Sequence, residues 1–306
     1  MNSAPNSLIK YYFYIILSML FWGMSFIWTN IALKDFDPIS VIFFRLVLSS
    51  VILYSYIKLS GNVEKIAKED RKWFLLLALA EPFFYFLGEN FGLQFVSPAV
   101  TSAIIATIPL MTPIVAYLFL RERVDRFTVV GIFLSFFGII YMLVNKDLSL
   151  NASPKGIALI FLAVFSAVAY TFFIRKLANK YKAITILTIQ NIIGTIYFLP
   201  VFLALDLNNV LSTSPSTSGI LAIVQLAIFA SSLAFLLFII VVAKLGMVKA
   251  NIFTNLIPVF TAIFAYFIIG EHINLQKIIG ILLVITGIVI SQLPAFKVLY
   301  NRSRGR

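Results

Sequence analysis

The chain has 306 residues, 61% apolar and only 12% charged; a soluble domain carries about twice that charged share, so no polar coat is available for a water-soluble globule. The net charge of +12 does not mark a nucleic-acid binder, because the basic residues fall in short turns and at the tail rather than in one patch interleaved with aromatics. With no cysteine, disulfides and thiolate metal sites are excluded.

Ten stretches approach the ~20 apolar residues that a bilayer-crossing helix needs. They are residues 11–33, 38–57, 73–95, 98–120, 127–144, 156–174, 184–205, 218–242, 248–269 and 277–294. The expected fold is an all-α integral membrane protein of ten transmembrane helices. The first stretch is too long for a signal-peptide core and no small-x-small cleavage site follows it, so it reads as an uncleaved span. It places Trp22, Ser25 and Thr29 on one polar-aromatic face at helical spacing. Span two carries Arg45, and span three carries Glu81 and Glu89. An ionisable group at span depth costs about 2.5–3.5 kcal/mol on insertion scales, so each is a site candidate. Glu89 sits among Gly88, Asn90 and Gln94, polar atoms able to satisfy it, and is the candidate for proton coupling. The competing reading is a static salt bridge from Glu89 to Arg45. Arg45 is the candidate partner of a substrate carboxylate. Glu81 precedes Pro82 and is expected nearer a membrane surface, in a structural role.

Span four brings Pro109 and Pro113, each expected to bend its helix. In the second half, Tyr170, Thr171, Gln190, Asn191, Gln225, Asn251 and Asn255 are uncharged polar groups at span depth. Any one of them suffices as an interhelical hydrogen bond; together they suit a zwitterionic or neutral polar solute. The expected substrate-binding set is Trp22, Ser25, Arg45, Gln190 and Asn255. The abundant phenylalanine and tyrosine read as lipid-facing bulk and interface belt. His272, the only histidine, falls in a predicted outer turn, where neither metal binding nor a proton relay is expected.

Lysine and arginine set the orientation. With the N-terminus inside, the inner segments hold 19 of them and the outer loops hold 4, namely Lys34, Lys146, Lys155 and Lys277. Both termini are therefore expected in the cytoplasm.

The segment 108–140 aligns without a gap on 257–289, with twelve identities. Among them are Pro109/Pro258, Thr112/Thr261, Glu122/Glu271, Gly131/Gly280 and Gly138/Gly287. Ten spans then divide into a first repeat at 1–145, a second at 146–294 and a basic tail at 295–306. Five spans per repeat force the second copy to sit upside down. The turn after the first copy, Arg121 to Arg126, is basic; the turn after the second, Gly270 to Asn274, is not. Glu122 and Glu271 are expected as helix-terminus or interface anchors.

The pattern of a proline in mid-span, small residues, a glutamate and two glycines seven apart, in Pro109…Glu122…Gly131…Gly138 and Pro258…Glu271…Gly280…Gly287, resembles the EamA domain of the drug/metabolite transporter superfamily, in duplicate. The resemblance covers nearly all of residues 11–294. It implies a carrier of a bacterial or archaeal inner membrane, often an exporter of amino acids or related metabolites. The expected function is thus a secondary transporter working by alternating access, coupled to protons or to the substrate gradient. An importer or exchanger of a nucleoside, sugar or cofactor is the alternative within transport. A non-transporting receptor or enzyme is the contrasting class, and the duplication argues against it. There is no phosphate-binding loop for ATP, no nucleophile elbow and no zinc motif, so no cofactor or metal is expected and the protein is not read as an enzyme. The expected partners are a small-molecule substrate, protons and the lipid bilayer, with no nucleic acid. Whether the carrier is a monomer or a homo-oligomer stays open.

Overall fold

A computed structural model describes residues 5–61, 64–121, 124–143, 153–212, 214–269 and 274–303. Glu122, Glu271, His272 and the boundary between the two repeats lie outside the described residues. Every regular element among the described residues is helical.

The first long helices are α1 (Pro5–Ala32) and α2 (Pro38–Leu59). The third expected span is broken. It runs as α3 (Arg71–Ala78), a π-wound segment (Leu79–Phe84) and α4 (Tyr85–Gly92). Then come α5 (Pro98–Ile105), α6 (Ile108–Leu120) and α7 (Arg126–Leu143). The second half opens with α8 (Pro154–Leu177), α9 (Ala183–Leu205) and the short α10 (Leu207–Ser212). Its next span again breaks around a π-wound segment (Leu226–Ala234), between α11 (Thr217–Gln225) and α12 (Phe235–Leu245). After α13 (Met247–Asn251) and a 3₁₀ turn (Ile252–Asn255) the chain ends in α14 (Leu256–Ile269) and α15 (Leu275–Ser303). α15 runs nine residues past the end expected for the last span, so the basic tail through Ser303 continues the helix.

Eight of these stretches are long and apolar enough to cross a membrane, and Arg126–Tyr141 and Ile278–Leu293 are shorter apolar helices. The prolines act differently from expectation. Pro109 falls in the first turn of α6 and Pro258 in the first turn of α14, where a missing N–H costs nothing. Each restarts a helix after a break. At each break a threonine hydroxyl donates back to the preceding turn: Thr107 Oγ1 to Ile104 O at 2.7 Å and Thr254 Oγ1 to Asn251 O at 2.7 Å. Pro113 does lie inside α6.

α7 and α15 make the most extensive helix pair. The repeated glycines face each other in it. A Cβ at Gly131 would meet the Gly287 carbonyl, and one at Gly138 would sit 2.9 Å from the Gly280 carbonyl. Residue numbers rise on one helix as they fall on the other, so the pair is antiparallel. Between the glycine contacts Ser135 Oγ donates to Gly131 O at 2.8 Å and lies 3.3 Å from Val284 O. Small residues allow this approach in lipid, where no hydrophobic drive pushes helices together. The outer faces keep bulk for the acyl chains, with Phe133, Phe137, Leu282 and Val289 exposed.

Ties between the two halves join them at both ends of the bundle. At one end Asp206 Oδ2 accepts from Ser40 N and Ser40 Oγ, both at 2.8 Å, and Asp35 accepts from Ser216. At the other, Lys180 Nζ donates to both Asp70 oxygens at 2.9 and 3.0 Å, and Tyr181 Oη to Asp70 Oδ2 at 2.9 Å.

Candidate functional site

Between these ties lies a central cavity with about 520 Å³ of empty space, part of it open to the outside. α1 lends it Trp22, Ser25 and Phe26; α2 lends Arg45. The broken third span lends Glu81, Tyr85, Phe86 and Glu89. The second half supplies Tyr170 and Thr171 from α8, Phe235 and Phe238 from α12, and Asn251, Thr254 and Ile257 from the last break. Ile105 and Ile108 also line it, at positions 149 before Thr254 and Ile257. Both halves thus face it with repeat-related positions, yet every ionisable side chain of acid or base type on its wall comes from the first half.

The helix breaks aim these groups. Glu81 precedes Pro82, and the ring of a proline forces the residue before it out of the helical region. Glu81 accordingly has extended φ/ψ of −145° and 123°. That turn carries its side chain onto the cavity wall, 4% exposed. The surface position expected for Glu81 is therefore corrected. Eight residues on, Glu89 faces the same space. Its Oε2 is buried without a hydrogen-bond partner among the described residues. The polar neighbours expected to satisfy it do not: Asn90 Nδ2 donates to Phe86 O in its own helix at 3.0 Å, and Gln94 points outward.

Arg45 is held from two sides. Its Nε donates to Ser231 Oγ at 2.9 Å, and its guanidinium lies 4.1 Å from the centre of the Phe86 ring. Ser231 belongs to the second π-wound segment, which Asn191 steadies by donating from Nδ2 to Ser231 O at 3.2 Å and to Ser49 Oγ at 2.8 Å. Arg45 Nη1 is buried and unpartnered among the described residues. Neither carboxylate comes within ion-pair distance of it, so the Arg45–Glu89 salt bridge of the competing reading is absent among the described residues. A guanidinium fork with a free donor beside a carboxylate with a free oxygen is suited to a ligand bearing both charges.

Much of the remaining lining is aromatic, with a single amide, Asn251. Trp22 packs on Phe235 and Phe238 with ring centroids 4.9 Å away in both cases. Asn251 Nδ2 donates to Thr112 Oγ1 at 2.8 Å and lies 3.3 Å from Thr171 Oγ1. Ser25 Oγ donates back to Trp22 O at 2.8 Å.

Of the expected substrate-binding residues, Trp22, Ser25 and Arg45 converge on the cavity, as does Glu89. Gln190 and Asn255 do not line it. α9, which bears Gln190, packs behind α2 and gives the wall no residue. Asn255 follows Thr254 in a 3₁₀ turn, where successive side chains diverge by about 120°; Thr254 takes the wall and Asn255 turns away, fully buried. The aromatic lining of Phe86, Phe235 and Phe238 was read from sequence as lipid-facing bulk. Their spacing carries no sign of which face looks inward.

At the Lys180 end, the Asp70 carboxylate holds the Lys180 ammonium above the usual lysine range, first through the hydrogen bond and then, against the cost of desolvation, through its charge. Among the described residues no cluster of histidine or acidic side chains is built to hold a metal ion.

A multi-helical bundle of apolar helices around a charge-bearing cavity has the architecture of polytopic membrane carriers. The model of the EamA-like transporter family matches residues 9–144 and again 154–293, and the chain belongs to that family, within the drug/metabolite transporter superfamily. Its curated relatives include a protein of Archaeoglobus fulgidus described as an uncharacterized transporter, 28% identical over 92% of this chain and 98% of its own length. Another is the uncharacterized transporter YcxC of Bacillus subtilis, 27% identical over 91% of each chain. A crystal structure 15% identical in sequence superposes with a TM-score of 0.77 over 94% of this chain and 98% of its own, a likeness of fold alone. The protein is a multi-pass membrane transporter.

Proposed function

We infer that the protein is a secondary exporter of small zwitterionic metabolites, amino acids foremost, with ten spans in two inverted five-helix repeats and both termini in the cytoplasm of a bacterium or archaeon. The observation that carries this reading is the cavity's charge pattern. A guanidinium with an unpartnered Nη1 and a carboxylate with an unpartnered oxygen share one aromatic-walled space. Arg45 takes the substrate carboxylate, Trp22 and Ser25 form the adjoining wall, and Glu89 exchanges a proton or meets the substrate ammonium. The antiparallel meeting of Gly131 with Gly287 and of Gly138 with Gly280 supports the inversion. So do the two π-wound breaks, 147 residues apart at their starts. Inverted repeats of this kind place the site at their interface near mid-membrane.

The test is uptake into proteoliposomes across an amino-acid panel, with Arg45→Lys. Lysine keeps the charge and loses the bidentate fork. A transported amino acid should lose far more affinity than its amide analogue, which keeps the ammonium and lacks the carboxylate. Equal losses for the two would remove the carboxylate role from Arg45, and an unchanged flux would place the pathway outside this cavity.

A further inference from the structure

α2 and α9 hold the second place in each expected repeat, and they pack side by side. They begin at Pro38 and Ala183, so their positions correspond at a shift of 145. Ser50 and Thr195 correspond in this way, and their hydroxyl oxygens lie 3.2 Å apart. A residue that touches its own counterpart marks an axis relating the two helices. At the same level Asn191 Nδ2 donates to Ser49 Oγ at 2.8 Å. The middle of the pair is thus pinned.

Ten residues before that level in each helix stand Ser40 and Thr185, again counterparts. The two arms are equal, about 15 Å long at 1.5 Å per residue. Each of the two is the third residue of its helix, in the turn whose N–H groups have no partner within the helix. Neither start is capped by the side chain of its own flanking residue, Asp37 or Lys182. A carboxylate that follows the other helix serves instead. Asp206, directly after α9, accepts from Ser40 N and Ser40 Oγ. Glu64, just past α2, accepts from Lys182 N at 2.9 Å and from Thr185 Oγ1 at 2.5 Å. The exchange is reciprocal, one carboxylate at each end of an antiparallel pair. Hydrogen bonds to a carboxylate at a helix start are among the stronger ones.

The charge bias of the sequence puts Ser40 and Asp206 at the outer face and Glu64 and Thr185 at the inner face. Arg45, on the cavity wall, is five residues beyond Ser40 on α2. The outer tie therefore sits little more than one turn from the cavity. We propose that Asp206 and Glu64 are the outer and inner latches of transport, and that α2 and α9 rock about the Ser50–Thr195 contact so that one latch parts while the other holds. This rests on the alternating-access reading above. Equal arms about a fixed middle make a tilt that opens one end tighten the other. Water replaces the lost partners at the opened end, so each latch is worth the net strength of its bonds, about ten-fold in the equilibrium between the two orientations.

The experiment uses the full-length protein with Ala167→Cys, a position on the cavity wall, in a chain that has no cysteine of its own. Sealed right-side-out and inside-out membrane vesicles are labelled with an impermeant maleimide, and the ratio of outer to inner labelling rates is measured. Asp206→Ala should raise that ratio about ten-fold, and Glu64→Ala should lower it about ten-fold. Ser40→Ala and Thr185→Ala remove one hydroxyl and leave the carboxylates. They should move the ratio in the same two directions by less, and they carry the test if a carboxylate variant does not elute monodisperse. Ser212→Ala, whose hydroxyl donates within its own short helix, should leave the ratio unchanged. Shifts in the same direction from both ends would overturn the proposal, as would equal gains from both sides or no shift at all. A cysteine unreactive from either side in every variant would overturn it too. No substrate is used, so ratios that move as expected beside a failed amino-acid panel would reject the substrate class and keep the latches.

Discussion

The seam between α7 and α15 makes a quantitative prediction about glycine. Gly131→Ala adds one methyl. That methyl would press on the Gly287 carbonyl and stand 2.8 Å from Ser291 N and 2.7 Å from Ser291 Cβ. These are atoms of the facing backbone and its first carbon, so the whole helix must retreat. Overpacking of this kind costs about 1–3 kcal/mol. Alanine returns about 1 kcal/mol of helix propensity. Because backbone cannot step aside, the upper half of the cost applies, and the net loss is about 1–2 kcal/mol, a factor of about 5–30 in the folded-to-unfolded ratio. Gly138→Ala meets slightly more room, 2.9 Å to Gly280 O and to Val284 N, and should lose less. Gly92→Ala is the control. Its methyl meets the Ile160 side chain and no backbone atom at close range, so it should lose less stability than Gly131→Ala. Equilibrium unfolding in mixed micelles of dodecyl maltoside and dodecyl sulfate reads the order. Gly131→Ala as stable as the starting protein, or Gly92→Ala as damaged as Gly131→Ala, would refute the seam as the source of the cost.

Glu89→Gln should abolish the dependence of flux on a pH gradient while the protein stays folded; retained proton-coupled flux would return Glu89 to a structural role. Asp70→Asn removes the counter-charge of Lys180 and should lower the thermal midpoint. Since Asp70 raises the Lys180 pKa, that contribution is complete below the unfolded lysine value of about 10.4 and fades only as pH climbs through the folded value. The drop should therefore be the same at pH 7 and pH 9, and a drop confined to one of them would assign it elsewhere. Single cysteines at Val124 and Asn274, introduced into a chain that has none, should react with an impermeant maleimide from opposite sides of the membrane; labelling from one side would end the inverted-repeat reading.

Membrane residence and the family were legible from residue composition and from one repeated segment. Apolar content is additive along a chain, so it survives without knowledge of partners. The glycine pairs were legible because a spacing of seven keeps both on one face of any helix, and they are found touching their counterparts. That three residues of α1 and α2, with Glu89, line the cavity was legible because an ionisable or amphipathic group inside an apolar run has no cheap alternative to a polar space.

Glu81, Gln190 and Asn255 were not legible in the same way. Their placement depends on where a helix breaks and how the next piece is rotated. Pro82 announces a break, yet its turn carries Glu81 inward only because α8 and α9 pack against that segment. The sequence by itself determined the solvent and the residue types that must be hidden. Only the tertiary structure decided which hidden groups meet around one cavity. Hydropathy is a sum over a segment, whereas a shared site is a matter of rotation, and π-wound and 3₁₀ breaks reset that rotation without leaving a period in the sequence.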